Sequence, residues 1–261
     1  MARGVGDGVY DAMFTVDHVP LQLDDHLRRF YRSAKKIDID IPMPFEELRA
    51  MVLDFCRRID SPDAMAYVQA TRGVGMRGHA YRFAGDTPSL WVWVKPDMLD
   101  PMDRSYKAIT MEDTRYFHCD IKTINLLPAV IYTKRAEEAG CDETILHRGD
   151  RVTECAHSNV HILKDGALKT APCDNLILPG ITRAHRIAQC REMGIPVIEE
   201  PFTVREMMEA DEVFFTSASA LCCRIEEIDG QKVGGRAPEL IARIQKAAWD
   251  EALAEVRQIN G

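Results

Sequence analysis

The sequence has no long apolar run, since none of its hydrophobic stretches approaches the roughly 20 residues that a membrane-spanning helix needs. The first six residues also lack the apolar core of a secretory signal peptide. Cations are the minority, because 33 Lys and Arg stand against 41 Asp and Glu for a net charge of −8. No surplus of positive charge is therefore available to displace counterions from nucleic acid. We predict no membrane segment, no nucleic-acid partner and a cytoplasmic location.

The chain has eight cysteines, but none of them lies in a known redox or metal-binding motif. There is no C-x-x-C pair, and no Cys/His group has the spacing of zinc ligands. Cytosolic cysteines are usually reduced, because their compartment keeps thiols from pairing. The sequence therefore predicts eight free thiols and no metal site.

The length of 261 residues fits one large domain or two small ones, and a hydrophobic fraction of 46% is sufficient for a buried core. Residues 95–104 carry two prolines and few core residues, which is typical of a linker. We predict a small N-terminal α/β domain at 1–97, a linker at 98–104 and a larger C-terminal domain at 105–261.

Apolar periodicity predicts an α+β fold. The predicted strands are 9–16, 64–71, 89–94, 106–110, 143–147, 151–154, 159–163, 167–170 and 211–216. The predicted helices are 45–59 and 237–258, with further helices beginning near Leu23, Asn125, Thr182 and Thr203. Thr203 and Glu206 have the spacing of a capping box, and Thr182 is predicted to cap the helix that follows it.

Lys122 is the most informative single residue. It lies in Cys119-Asp120-Ile121-Lys122-Thr123-Ile124-Asn125-Leu126-Leu127-Pro128, among apolar side chains that we predict bury it. Burial lowers the pKa of an amine and makes it competent to bond to an aldehyde. A lone lysine is more often a solvated surface residue with a snorkelling stem, so Lys122 needs support from other residues.

Glu154 and the segment 178–183 give that support. Val152-Thr153-Glu154 ends in a carboxylate that could keep a pyridine nitrogen protonated, although it could equally be a plain hairpin-edge residue. Leu178-Pro179-Gly180-Ile181-Thr182-Arg183 opens a helix, whose N-terminus can bind a phosphate or simply be capped. An amine, a carboxylate and a helix N-terminus are what a protein supplies to pyridoxal phosphate.

Taken together and in this order, the motifs resemble those of the class IV aminotransferases, which are pyridoxal-phosphate enzymes of fold type IV. The resemblance runs from about Gly6 to Gly234. Its motifs are Gly6-Asp7-Gly8-Val9-Tyr10, Asp120-Ile121-Lys122-x-x-Asn125-Leu126-Leu127, Val152-Thr153-Glu154, Ser158-Asn159-Val160 and Leu178-x-Gly180-Ile181-Thr182-Arg183. It implies a small N-terminal α/β domain, a larger C-terminal domain with a β pseudo-barrel, pyridoxal 5'-phosphate as cofactor and a homodimer.

Within that family the chain most resembles the enzymes that act on D-amino acids. The deciding motif is Thr71-Arg72-Gly73-x-x-x-Arg77-x-His79. In those enzymes the Arg-x-His pair binds the substrate carboxylate with help from the tyrosine of Gly-Asp-Gly-Val-Tyr, here Tyr10. A guanidinium fork suits a carboxylate. Alone, Arg77 and His79 would be read as a solvated loop.

The resemblance also implies a role for each candidate residue. Lys122 is the catalytic lysine, and Leu178 lines the substrate pocket with Tyr10, Arg77 and His79. The residues implied to bind the cofactor are Arg29, Lys122, Glu154, Ile181, Thr182, Ser217 and Ser219. Two positions depart from the family pattern: Ala218 replaces a hydroxyl residue, and His157 stands in a run that is usually small.

The resemblance thus predicts ping-pong transamination between D-amino acids, such as D-alanine and D-glutamate, and 2-oxo acids, such as 2-oxoglutarate and pyruvate. The alternatives are an aminodeoxychorismate lyase or an (R)-selective amine transaminase, which would use the same Lys122 and Glu154 with a different pocket. Outside catalysis, the alternative is a non-catalytic protein of the same fold.

Overall fold

The computed structural model describes residues 6–76, 78–81 and 87–260. The chain divides into two compact units. The first comprises residues 1–98, 121–126 and 252–261, and the second comprises 99–120 and 127–251. The domain boundary at 98–104 remains a prediction.

The first unit is an antiparallel sheet with two helices. Its described strands have the order β2-β1-β3-β4. The elements are β1 Gly8–Val16, β2 Val19–Pro20, α1 Leu23–Lys36, α2 Phe45–Arg58, β3 Ala64–Thr71 and β4 Ser89–Pro96. All of these except the short β2 were predicted to within two residues, although for α1 the prediction covers only the start.

The two faces of this sheet differ in composition. One face of β3 presents Ala64, Ala66, Val68 and Ala70, which are fully buried, the last three in a core shared with α1 and α2. On the other face the rings of Tyr10, Tyr67 and Trp93 stack across β1, β3 and β4, with centroids 5.5 Å and 4.8 Å apart. Strand alternation explains the division, because successive side chains point to opposite faces.

The second unit is built on a mixed sheet. Nine strands of its described part take part, in the order β10-β9-β8-β11-β12-β5-β6-β7 with β13 paired to β12. The strands are β5 Tyr106–Glu112, β6 Glu143–Arg148, β7 Arg151–Cys155, β8 Asn159–Lys164, β9 Ala167–Thr170, β10 Val197–Glu199, β11 Glu212–Thr216, β12 Cys223–Ile228 and β13 Gln231–Lys232. The helices are α3 Leu127–Glu138, α4 Ile181–Glu192, α5 Val204–Met208 and α6 Pro238–Asn260.

The predicted α+β class is confirmed, and so is the capping box of α5, in which Thr203 and Glu206 satisfy each other's backbone N–H groups. The strands β10, β12 and β13 were not predicted. The largest omission is β12, since it joins β11 to β5 within the sheet.

All eight cysteines lie within the described residues and are free thiols, as predicted. None of the helices in the described ranges has the length and apolar character to cross a bilayer.

Candidate active site

The backbone of Lys122 lies beside the start of β1. Its carbonyl accepts a hydrogen bond from the Tyr10 N–H at 3.0 Å, and the Ile124 N–H donates to the Gly8 carbonyl at 3.1 Å. Thr123 forms an isolated antiparallel bridge with Val9. The segment is therefore hydrogen-bonded to the start of β1, and β1 fixes the position of the lysine.

The Lys122 amine lies over an aromatic ring. Its Nζ is 4.5 Å from the centroid of Tyr10, whose ring in turn stacks on Tyr67. Lys122 is half-buried. Of the four neighbours predicted to bury it, Ile121 and Ile124 are half-buried, but Leu126 and Leu127 are exposed, so the prediction was wrong for the two leucines. The Tyr10 ring provides apolar cover instead.

The motif Gly6-Asp7-Gly8 has a structural function. Asp7 accepts two hydrogen bonds from the Arg72 guanidinium, at 2.8 Å and 3.0 Å. A Cβ on Gly8 would lie 2.7 Å from the Ala70 carbonyl oxygen, closer than real contacts allow. Asp7 and Gly8 therefore hold the start of β1 tightly against β3, directly before Tyr10.

Arg29 is buried and held by Asp11. The guanidinium donates from Nε to Oδ2 and from Nη2 to Oδ1, both at 2.8 Å, and His26 Nδ1 lies 2.8 Å from Oδ1. Burial alone would raise the pKa of Asp11, but Arg29 and His26 hold that pKa well below its usual range. Asp11 is thus a permanent anion that fixes the orientation of Arg29. Sequence analysis predicted Arg29 but missed Asp11, which is a plain alternating residue of a strand.

Glu154 is buried in the second unit and accepts hydrogen bonds from three groups. Arg115 Nη1 donates to Oε1 at 2.5 Å, while Asn159 Nδ2 and the Leu178 N–H donate to Oε2 at 3.0 Å each. Burial raises the pKa of Glu154, and Arg115 opposes that rise. A carboxylate has about four acceptor positions, so one remains for a further donor such as a protonated ring nitrogen.

Arg115 is a second residue of the site that sequence analysis missed. Its guanidinium lies between two buried carboxylates, since Nε and Nη2 donate to Asp113 at 2.9 Å each while Nη1 donates to Glu154. Burial alone would lower the pKa of Arg115. The two carboxylates outweigh that effect, so the pKa of Arg115 is raised. Asp113 and Arg115 directly follow a strand, a place where charged residues are often solvated. Nothing in the spacing of the two residues indicates that Arg115 bonds to Glu154, 39 residues away.

Asn159 connects Glu154 to the start of α4. Its Nδ2 donates both to Glu154 and to the Leu178 carbonyl, at 3.0 Å. Leu178 is half-buried, and both of its backbone polar groups are bonded in this cluster. Two residues later, a Cβ on Gly180 would lie 2.0 Å from Asn159 Oδ1. Glycine is therefore required where the chain passes Asn159.

Helix α4 begins differently from the prediction. Its N-cap is Gly180, without a side-chain cap, and the predicted cap Thr182 lies within the first turn. Thr182 donates instead to the Ser217 carbonyl at 2.7 Å. The N–H groups of Ile181 and Thr182 have no intrahelical acceptor, and both residues are buried. Such N–H groups are suited to an anion.

Ser217 and Ser219 form a tight turn after β11. Ser217 Oγ accepts hydrogen bonds from the N–H groups of Ser219 and Ala220, at 3.2 Å and 3.0 Å. Ser219 Oγ donates to Asp100 Oδ2 at 2.6 Å and lies 3.1 Å from Ser217 Oγ. The turn is therefore ordered by its own hydroxyl groups and by Asp100.

Three further residues singled out by the sequence are Arg77, His79 and His157. Arg77 lies outside the described residues, and His79 is exposed. His157 is also exposed, with Nδ1 3.4 Å from Glu143 Oε2. The structure thus groups Lys122 and Arg29 with elements of the first unit, and the other predicted cofactor-binding residues with the second.

Comparisons with known proteins agree with these motifs. The family model described as Amino-transferase class IV matches residues 8–228. A D-alanine aminotransferase of Bacillus licheniformis is 37% identical over 253 residues, covering 96% of this chain and 89% of that protein.

Solved structures give the same fold. The branched-chain amino acid aminotransferase from Escherichia coli aligns with a TM-score of 0.85 at 25% identity, over 95% of this chain and 86% of the other. The branched-chain aminotransferase from Thermoproteus uzoniensis with norvaline aligns with a TM-score of 0.81 at 25% identity, over 95% and 87%. The α+β architecture is therefore that of fold type IV.

Proposed function

Since the chain belongs to the class IV aminotransferases, we propose that it uses pyridoxal 5'-phosphate to transfer amino groups between D-amino acids and 2-oxo acids. The observation that carries this proposal is the combination of Lys122 beside Tyr10 with the buried Glu154 cluster. The D-alanine aminotransferase of Bacillus licheniformis, similar over nearly the whole chain, supports the choice of D-amino acids.

The residues present fit this cofactor. Glu154 keeps one acceptor position for the ring nitrogen, and its charge is favoured by Arg115. The first turn of α4 offers N–H groups for a phosphate, next to the hydroxyl groups of the 217–219 turn. Once bound, pyridoxal phosphate supplies an electron-accepting ring that stabilises negative charge on the substrate α-carbon.

Lys122 performs the proton transfers. Its Nζ is the amine that would hold the cofactor in the resting enzyme. The free amine accepts the α-proton of the substrate as a base and then returns a proton as an acid. The half-buried position over the Tyr10 ring keeps that amine away from bulk water on one side.

We assign the other groups by charge and donor chemistry. Arg29, held by Asp11, binds the phosphate with Ile181, Thr182, Ser217 and Ser219. Both donors of Ser219 have partners already, since its hydroxyl donates to Asp100 and its N–H donates to Ser217 Oγ, so its contact with the phosphate requires an exchange of one of these bonds. The proposed substrate contacts are Tyr10, Arg77, His79 and Leu178, of which the first three provide donors for the carboxylate.

The absorption spectrum of the purified protein tests this function. The expected result is a cofactor band that D-alanine converts to that of the amino form, while L-alanine leaves it unchanged. Lys122→Ala should abolish the conversion while folding normally. A band that D-alanine does not change would favour the lyase or the (R)-selective amine transaminase. Absence of a band after added pyridoxal phosphate would favour a non-catalytic protein. With two substrates, initial rates should follow ping-pong kinetics.

We also propose that the chain is a homodimer in the cytoplasm. Helix α3 supports the dimer, because Leu127, Val130 and Ile131 form an apolar face that is 70%, 61% and 45% exposed. Contiguous exposed apolar side chains of this kind mark interaction surfaces. The free thiols support a reducing compartment.

A further inference from the structure

His161 is a buried histidine that the proposed function does not use. It lies on β8 two residues after Asn159 and therefore faces the same side of the sheet. It is fully buried, pairs with Phe214 of β11 and stacks on its ring, with centroids 4.8 Å apart and the planes 22° from parallel. Aromatic stacking of this kind fixes the plane of the imidazole.

One ring nitrogen of His161 has a partner. Nε2 lies 2.9 Å from Thr216 Oγ1, and Nδ1 has no hydrogen-bond partner among the described residues. A neutral imidazole carries one N–H and one lone pair, and a hydroxyl can both donate and accept. Either tautomer of His161 can therefore make the bond between Nε2 and Thr216 Oγ1, and the bond holds Thr216 in both cases.

Thr216 directly precedes the turn that we propose binds the phosphate. It is the last residue of β11, and Ser217 follows it. The Ser217 carbonyl accepts the Thr182 hydroxyl, and Ser217 Oγ orders the N–H groups of the turn. A displacement of Thr216 would therefore move both the serine turn and the first turn of α4.

We propose that His161 is a positioning residue for the cofactor phosphate, which holds Thr216 and through it the Ser217 turn. This inference rests on the proposed cofactor. Strand β8 then supports both ends of the cofactor, since Asn159 holds Glu154 for the ring nitrogen and His161 holds Thr216 for the phosphate. A rigid strand is a suitable support, because precise sites need side chains locked by a second layer of bonds.

The test compares the affinity of the apoprotein for pyridoxal phosphate and for pyridoxal, which lacks the phosphate. His161→Phe keeps an aromatic ring against Phe214 but removes the bond to Thr216. We expect its Kd for pyridoxal phosphate to rise roughly five- to tenfold, as for loss of one neutral hydrogen bond, while its Kd for pyridoxal stays unchanged. Ile162→Val, which loosens the opposite face of β8, should not change the ratio of the two constants.

Equal loss of affinity for both compounds, or no loss for either, would overturn the positioning role. Should His161→Phe fail to fold, Thr216→Val tests the same bond from its other side, and Thr216→Ser should restore the ratio because it keeps the hydroxyl. A wild-type apoprotein that binds neither compound would instead refute the cofactor itself. The two failures are therefore distinguishable.

Discussion

Arg115 lies between two buried carboxylates that would otherwise repel each other, and Arg148 is a second cation beside one of them, Asp113. Asp113 and Glu154 are both buried, and their separate bonds to one guanidinium allow both to remain charged. Breaking a buried ion pair by removing one partner is costly, because a desolvated charge is left behind. The charge of Glu154, and with it any role at a ring nitrogen, depends on a residue without a motif of its own.

Arg115→Leu should therefore lower the free energy of unfolding by about 3–5 kcal/mol, since the buried Glu154 loses its cation and Asp113 keeps only the longer ion pair with Arg148. Denaturant unfolding of both proteins measures the difference. Arg58→Leu is a matched control, because its ion pair with Asp54 is largely exposed and should contribute little. Similar losses for both variants would argue against the importance of burial at Arg115.

His161 makes stability depend on pH. Burial lowers the pKa of His161 well below 6.5, and the nearby Arg183 and Arg186 lower it further. The unfolded chain binds this proton more readily, so stability is complete above about pH 6.5 and falls as the pH decreases. At one pH unit below the unfolded pKa the loss is about 1.4 kcal/mol.

Unfolding at pH 8 and pH 5.5 measures this effect. The difference between the two pH values should be smaller in His161→Phe than in the wild type. The buried His26 also has a lowered pKa, chiefly through burial, so part of the dependence should persist in that variant. An unchanged difference would show that His161 does not titrate as described.

At the scale of elements, the start of α4 depends on the space beside β8. Thr182 has the residue type of an N-cap, but the N-cap is Gly180 and the helix begins at Ile181. Asn159 of β8 occupies the position that a Cβ at residue 180 would need, so this N-cap has to be a glycine. Thr182 is then free to bond to the Ser217 carbonyl.

Gly180→Ala should displace Asn159, whose amide is held by Glu154 and the Leu178 carbonyl. Because the added methyl would break at least one of these bonds, we expect weaker binding of pyridoxal phosphate, by roughly tenfold. Titration of the apoprotein measures this. Gly194→Ala is the control for glycine replacement near α4, since no described atom lies within 4 Å of its Cβ position, although its positive φ adds strain. Unchanged affinity in Gly180→Ala would refute the steric role.

At the scale of the whole molecule, the apolar face of α3 predicts self-association. Val130→Glu should convert a dimer into a monomer, because a charge at a desolvated interface is costly. Sedimentation velocity over a concentration range measures the mass. Met98→Glu, which also replaces an exposed apolar side chain, should leave the mass unchanged. A wild-type monomer at all concentrations would refute the proposed homodimer.

The pattern of apolar residues within single segments was sufficient to predict much of the fold. Helix α2 and strand β3 were predicted because their periodicities of about 3.6 and 2 residues are visible within the segment itself. Strand β12 was missed, since its alternation lasts only from Cys223 to Glu226 and is interrupted at Glu227, where the pairing with β5 changes register. The segment is held as a strand between β11 and β5. Its neighbours in the sheet, rather than its own residues, select its conformation.

The sequence by itself determined the chemical groups: the amine of Lys122, the carboxylate of Glu154 and the glycine-led start of α4. Those groups occur in short motifs, so they can be identified without knowing what they contact. Only the tertiary structure decided their partners, such as Arg115 for Glu154, Asp11 for Arg29 and His161 for Thr216. The physical reason is distance along the chain, because bonds between residues 18 to 55 positions apart depend on how strands, helices and loops pack together and not on local pattern.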